Sequence, residues 1–356
     1  MTIEQFFFEL IQVAIGTRIC LSHTPRVDEW GELYAMAKKQ SLVGVCFAGV
    51  QRLQAQRQEP PEMLYLTWMG MAAKIQQRNE IVNQQCVQLG ERLEVNGYSY
   101  AVLKGQGIAQ LYADNLRGLR QSGDIDVWVK GGFEKVNEFV QRTAPTDDLA
   151  YHRFHYEVFP DTEVELHFRP TLMRNLFDNR KLQKWCDSIL PSEFVKTNLG
   201  FCVPPARFNR IFILTHIYRH FLFEGVGLRQ VMDYYFVLQA ADEGRKTKDE
   251  SVLLKEFRLT RFAGALMWVM EHVFAMDRKY MICELDEKEG RFLLEEIMQM
   301  GNFGQLDKRY IGDGKTKRFV KHWSHLLLHY PSEVVWSPVW IVYHWLWKRN
   351  KLKAIS

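Results

Sequence analysis

The amino-acid sequence predicts an α+β protein: a small mixed sheet in the middle of the chain, flanked by N-terminal and C-terminal helical regions. Three observations carry that expectation. Apolar residues recur at helical spacing through the first 97 positions, the period shortens to strand alternation between 98 and 203, and helical spacing returns from Pro204 onward. The expected division is therefore 1–97, 98–203 and 204–356. A chain of 356 residues is also too long for one small core.

In order along the chain, Phe6 to Ile15 supports a first amphipathic helix. Asp28 to Leu53 supports a second, with Asp28 suited to its N-cap. Pro60-Pro61 breaks the chain and starts a long helix from Glu62 to Val95, which Asn96-Gly97 stops. Ser99 to Leu103 then reads as a buried strand, followed by a helix from Ile108. Asp126 to Val129 is a second strand, and Phe133 to Arg142 is a helix after Gly131-Gly132. Tyr151 to Phe159 and Glu163 to Phe168 are two further strands around Pro160-Asp161. Beyond them, Asn209 to Phe223, Leu228 to Ala241, Ser251 to Phe274 and Glu287 to Met300 all read as helices.

Bulk properties narrow the class. Hydrophobic residues make up 47% and charged residues 25%, as in soluble globular proteins. A net charge of +4 suits the handling of phosphates, but it falls short of the density that indicates nucleic-acid binding. The six cysteines form no CxxC pair and read as reduced thiols of a cytoplasmic protein. The apolar start carries Glu4 and Glu9 and lacks a basic leader, so it reads as a helix and not as an export signal. The run from Val334 to Trp347 is too short to span a bilayer. The tail from Lys315, basic and rich in Trp and His, reads first as a helix with a solvated cationic face. A membrane-surface or partner-binding helix is the alternative.

The informative segment is Leu119 to Val129, LRQSGDIDVWV. In a strand, Asp124 and Asp126 project together while Ile125, Val127 and Val129 face the core. Paired carboxylates repel unless a cation lies between them, and hard oxygen donors at this spacing suit Mg²⁺. Two surface aspartates on an edge strand would give the same pattern. Two features favour a site. Ser122-Gly123 supplies a polar turn before the pair, and another strand sets Glu163, Glu165 and His167 on one face.

Leu103-Lys104-Gly105, Arg120 to Val127 (RQSGDIDV) and Val164-Glu165-Leu166-His167 together resemble a bacterial nucleotidyltransferase family of the DNA polymerase β-type superfamily. The resemblance covers about residues 99 to 170 and extends to Thr215 to His220 and Gly227 to Asp233. It implies transfer of a nucleoside monophosphate from an NTP, ATP among them, to an acceptor, with Mg²⁺ or Mn²⁺ bound. By that resemblance Asp124 and Asp126 hold the metals, and Glu165 is a third ligand that helps deprotonate the acceptor. Glu163 is the alternative third ligand. Gly105 admits the triphosphate, with Lys104, Arg120 and Ser122 as phosphate contacts, and His220, Arg229 and Asp233 line the cleft.

The pattern departs from the superfamily at Gln106, where Gly or Ser is usual, and in the longer stretch from Gly105 to Asp124. A nucleotide-binding or scaffolding protein without turnover is the alternative function. A glycosyltransferase is disfavoured because the apolar strand follows the Asp pair instead of preceding it. The acceptor class (small molecule, peptide or protein) is left open, and nucleic acid stays open too although nothing in the sequence indicates it. His216 and His220 share a helix face, but Ile217 excludes a zincin motif, and packing or hydrogen bonding explains them.

Overall fold

A computed structural model describes residues 2–240, 248–301 and 323–355. Positions 315–322 of the basic tail and Ala241 lie outside the described residues. Helices α1 (Ile3–Ile15), α2 (Val27–Lys39), α3 (Val43–Gln54) and α4 (Glu62–Val95) come first. The expected single helix from Asp28 to Leu53 is thus two. Ser41 adopts φ 54°, a left-handed conformation that ends the first before Val43 begins the second. Asp28 is not the N-cap either: the cap is Arg26, whose backbone N–H donates to Glu29 Oε2 at 2.7 Å.

The sheet consists of β1 (Tyr100–Val102), β2 (Ile125–Val129), β3 (Arg153–His155) and β4 (Val164–His167), in the order β1-β2-β4-β3. β2 and β4 run parallel, while both outer pairings are antiparallel, so the sheet is mixed. Short helices α5 (Gln106–Ala109) and α6 (Asp114–Arg117) fill the β1–β2 connection. α7 (Gly132–Thr143) follows β2, and α8 (Leu176–Asp187) follows β4. Two strands that sequence reasoning passed over, β5 (Val195–Lys196) and β6 (Cys202–Val203), make a separate ribbon. α9 (Ala206–Phe223), α10 (Leu228–Ala240), α11 (Lys248–Glu256), α12 (Thr260–Phe274), α13 (Glu287–Met300) and α14 (Pro331–Ile355) complete the described chain. The segment Ser251 to Phe274 is also two helices, divided where Arg258 takes φ 56°.

Strand alternation gives the sheet one apolar and one polar face. Val102, Ile125, Val127, Val129, Val164 and Leu166 pack on α7 through Phe133, Val136, Phe139 and Val140, and on the later turns of α4 through Val82, Cys86 and Leu89. The earlier turns of α4 contribute Trp68, Ala72 and Ile75 to a second, larger core, which joins α1–α3 to α9–α13. α4 therefore runs through both cores. At its midpoint the Asn79 amide donates to the carbonyls of Gly118 (2.8 Å) and Arg120 (2.7 Å), which secures the loop before β2.

That loop is also held from α3. A Cβ at Gly44 would lie 2.2 Å from the Leu119 carbonyl oxygen, so the helix backbone rests directly on the loop. Gly44→Ala is therefore expected to cost about 1–3 kcal/mol through overpacking. Gly70→Ala in α4, where a Cβ meets nothing within 4 Å, is expected to stabilise by about 0.5–1 kcal/mol. Urea unfolding of the two variants beside the parent measures both signs.

Candidate active site

The register of β2 and β4 places Asp126 beside Glu165 and Trp128 beside His167. β3 adds Arg153 and His155 to the same face, opposite His167 and Glu165 respectively. This is the polar face of the sheet, and α9 covers part of it. Trp128 stacks on Phe208 at the start of α9, with ring centroids 5.0 Å apart, so its ring is a packing element.

Charges on this face are interleaved. His167 Nε2 lies 2.8 Å from Asp126 Oδ1 and 3.2 Å from Glu165 Oε2. Arg153 Nε lies 3.0 Å from Glu165 Oε2. Lys104, directly after β1, sets its ammonium 3.0 Å from Asp126 Oδ2 and 3.8 Å from Asp124 Oδ2. Three carboxylates thus face three cationic side chains. Burial opposes a charge on His167, but hydrogen bonds to Asp126 and Glu165 outweigh it and raise its pKa. Burial likewise opposes the charge on Glu165, yet His167, Lys104 and Arg153 hold its pKa down to about 2. Lys104 is pushed up to about 12 by Asp124 and Asp126 against its own burial.

Asp126, Glu165 and His167 each offer a ligand atom within 4.8 Å of the others. Asp126 Oδ2 is buried and completes no hydrogen bond, although the Lys104 ammonium lies at ion-pair distance. An oxygen pair with an orphaned buried acceptor fits a hard divalent cation such as Mg²⁺, and the nearby imidazole would favour Mn²⁺ over Mg²⁺. Asp124 stands nearer the rim, with its side chain 37% exposed. Glu163, the alternative third ligand, precedes β4, and it is Glu165 that pairs with Asp126 across the strands.

Opposite the sheet, α9 and α10 form a second wall. Lys104, Gly105, Gly123 and Asp124 on one side, and Ile213, His216, Arg229 and Gln230 on the other, line a narrow cavity of about 30 Å³. That is room for one or two waters. Gly105 takes φ 59° and ψ −118°, a backbone conformation open to glycine, and starts α5. The sequence expectation of a phosphate contact at Arg120 meets a different arrangement. Its guanidinium is buried and grips Asp233 of α10 through two 2.7 Å hydrogen bonds, while the Tyr112 hydroxyl donates to the same carboxylate at 2.7 Å. Both residues reach the cavity edge, but their charges are committed to each other.

Arg229 differs. It is 9% exposed, donates from Nη1 to the Gln121 carbonyl at 2.9 Å, and leaves Nε without a hydrogen-bond partner. Among the described residues no carboxylate lies within ion-pair distance of it. Burial, reinforced by Arg120, lowers its pKa to about 10, so it stays cationic at neutral pH. Ser122 lies half-buried in the loop beside Gly123.

His220 is buried behind this wall, with Nδ1 2.7 Å from Glu224 and Nε2 3.0 Å from Arg219. It packs on His216 with ring centroids 4.2 Å apart, and does not line the cavity. Arg219 continues to His152 Nε2 at 3.3 Å, and the His152 ring lies 5.1 Å from that of His167. Strand alternation alone would send His152 and His155, three residues apart, to opposite faces. β3 begins only at Arg153, so alternation does not govern His152, which approaches the site as well. Arg153, Tyr112 and Arg219 escaped the sequence reading. Arg153 could have been found there, being two residues from His155 in a strand and hence on the same face.

The family model described as Uncharacterised nucleotidyltransferase matches residues 27–275, which contain every residue of the site. No curated protein and no solved structure matches the chain.

The two arginines should respond oppositely to loss of charge. Asp233→Ala strands the buried Arg120 cation and is expected to cost about 3–5 kcal/mol. Arg229→Met removes a buried cation that has no carboxylate, and stability should stay within about 1 kcal/mol of the parent. Denaturant titration of both variants checks the contrast.

Proposed function

We propose that this chain, which belongs to the Uncharacterised nucleotidyltransferase family, transfers a nucleoside monophosphate from an NTP to an acceptor with Mg²⁺ or Mn²⁺ bound. One observation carries the reading. A single cavity brings Asp124, on the rim of the acidic face, opposite Arg229, a buried guanidinium with no carboxylate of its own. A triphosphate supplies the anion that Arg229 lacks, and its cation suits the oxygen donors of the acidic face. The segments that resemble the DNA polymerase β-type superfamily contribute the acidic face, and α10 contributes the guanidinium.

In this reading Asp124, Asp126 and Glu165 hold the metal, with His167 placed to join or to orient them. When bound, the cation offsets the phosphate charge and lowers the pKa of the acceptor hydroxyl. Arg229 and Lys104 take the phosphate oxygens, Ser122 adds a hydroxyl donor, and Gly105 lets the backbone approach. The acceptor oxygen bonds to the α-phosphorus as the bond to pyrophosphate breaks, and the hydroxyl proton passes to a carboxylate of the acidic face or to solvent. His167, Lys104 and Arg153 keep Glu165 ionised, so it supplies an oxygen donor and a negative charge beside the acceptor hydroxyl. Arg120 and Asp233 act as positioning residues that brace the loop carrying Asp124 against α10. His220 supports the wall from behind.

The cavity as it stands is too narrow for a nucleotide, so binding calls for its lining to rearrange. Lys104 then exchanges its hold on Asp126 for the phosphates. A second reading, nucleotide binding without turnover, is favoured by the same balance of charges: Lys104, Arg153 and His167 already neutralise the carboxylates. Pyrophosphate release separates the two.

Asp126→Asn is expected to lower pyrophosphate release by about 100-fold or more, and Arg229→Met to weaken NTP binding by at least about tenfold. Release is measured for each NTP with Mg²⁺ across an acceptor panel, with a one-nucleotide mass gain on the acceptor as confirmation. Full turnover in the Asp126 variant contradicts the site. NTP binding in the parent with no release for any acceptor favours the second reading.

A further inference from the structure

α14 is apolar on two opposite sides. One side packs on the protein: Val334 and Trp340 are buried, Trp340 and Trp347 pack on Tyr151, and the Glu333 carboxylate accepts from the Arg174 and Asn175 amides at 2.7 and 3.1 Å. The other side faces away from the fold. Val335 (62% exposed), Val339 (49%), Val342 (58%) and Leu346 (47%) follow the i, i+4, i+7, i+11 spacing of one helical line. Trp345 flanks that line at 58% exposure, and on the other flank Trp336 meets Phe177 of α8, itself 67% exposed. A soluble surface rarely leaves so continuous an apolar row uncovered.

The charge pattern identifies what covers it. Arg349 and Lys353 continue the same line three and seven residues past Leu346, both exposed, and Lys348 and Lys351 lie beside them. From Val334 to Ser356 the sequence has no Asp or Glu. Pairing two copies of α14 about a two-fold axis would set Arg349 and Lys353 against Val335 and Pro331 of the second copy. No carboxylate waits there, because Glu333 is buried against Arg174 and Asn175. An anionic lipid surface meets both halves of the line: acyl chains accept the apolar row, and headgroup phosphates accept the cations that follow it. The exposed apolar row is about 16 Å long, suited to lying in the plane of a bilayer interface, with Trp345 at headgroup depth. Among the described residues no helix is long and apolar enough to cross a membrane.

We propose that the outer face of α14 binds the surface of an anionic membrane, with Val335, Val339, Val342 and Leu346 inserted and Arg349 and Lys353 on the headgroups. The bound protein lies on the bilayer through this helix and the adjoining Phe177 of α8.

Co-sedimentation of the full chain with phosphatidylglycerol–phosphatidylcholine vesicles tests this, with phosphatidylcholine vesicles as the comparison. The protein should sediment with the anionic vesicles, less so as salt rises, and should remain in the supernatant with the neutral ones. Arg349→Gln with Lys353→Gln should reduce partitioning by roughly 30-fold, from about fivefold per cation. Val342→Asp with Leu346→Asp should abolish it. These positions are exposed, so unchanged thermal unfolding verifies the fold. Absence of sedimentation with anionic vesicles, or sedimentation indifferent to both double variants, overturns the proposal. So does a concentration-dependent dimer that Val342→Asp dissociates while vesicle binding is absent, which would assign the face to a second copy of the chain.

Discussion

The parallel pairing of β2 with β4 sets Asp126 directly beside Glu165 on a face that a helix covers, and much of the architecture answers that placement. Two carboxylates taken from water onto adjacent strands repel each other and lose hydration, so the fold must supply opposite charge close by. It does so from three elements. Lys104 comes from the turn after β1, Arg153 from edge strand β3, and His167 from β4 itself. The edge strand thereby gains a role beyond widening the sheet. The same arrangement leaves Asp126 Oδ2 with an incomplete set of partners, a vacancy that a divalent cation fits.

A second constraint fixes the loop that delivers Asp124. Arg120 is clamped by Asp233, Tyr112 joins the clamp, and Asn79 of α4 holds the Arg120 carbonyl. A buried ion pair of this kind adds little net stability over a well-packed apolar alternative, but breaking one side of it is costly. Its effect here is positional: it ties the loop before β2 to α10, so that Arg229, one turn earlier on α10 than Asp233, faces the cavity. The committed arginine and the carboxylate-free one thus sit side by side, and only the second has charge left for a ligand.

Much of this could be read from the sequence. Strand periodicity was enough to part Asp126 from Ile125, Val127 and Val129 and to put Glu165 and His167 together on a neighbouring strand; Asp124 precedes β2, and it is Lys104, at ion-pair distance from both aspartates, that gathers it to the same side. Pro61 and Asn96-Gly97 marked the ends of α4, and the structure places it at Glu62–Val95. The breaks at Ser41 and Arg258 were not legible, because a non-glycine residue with positive φ carries no local signal; the surrounding packing sets it. α8 was missed although Asn175 caps it by accepting from Phe177 and Asp178, a signal the sequence does carry. Arg120 and Arg229 could not be told apart in advance. Each is a basic residue in a suggestive motif, and which one meets a carboxylate depends on contacts across more than a hundred positions.

The α+β core and its helical surround therefore meet at one small cavity, whose acidic side is already balanced by internal cations and whose basic side is not. Whether the acidic side takes a metal is the central question, and anomalous diffraction from crystals grown with Mn²⁺ and a non-hydrolysable NTP analogue answers it most directly. A manganese peak is expected at coordination distance, roughly 2–2.3 Å, from carboxylate oxygens of Asp124 and Asp126, with Lys104 withdrawn from Asp126. A bound nucleotide with no manganese at these carboxylates, and Lys104 still bridging them, would contradict it.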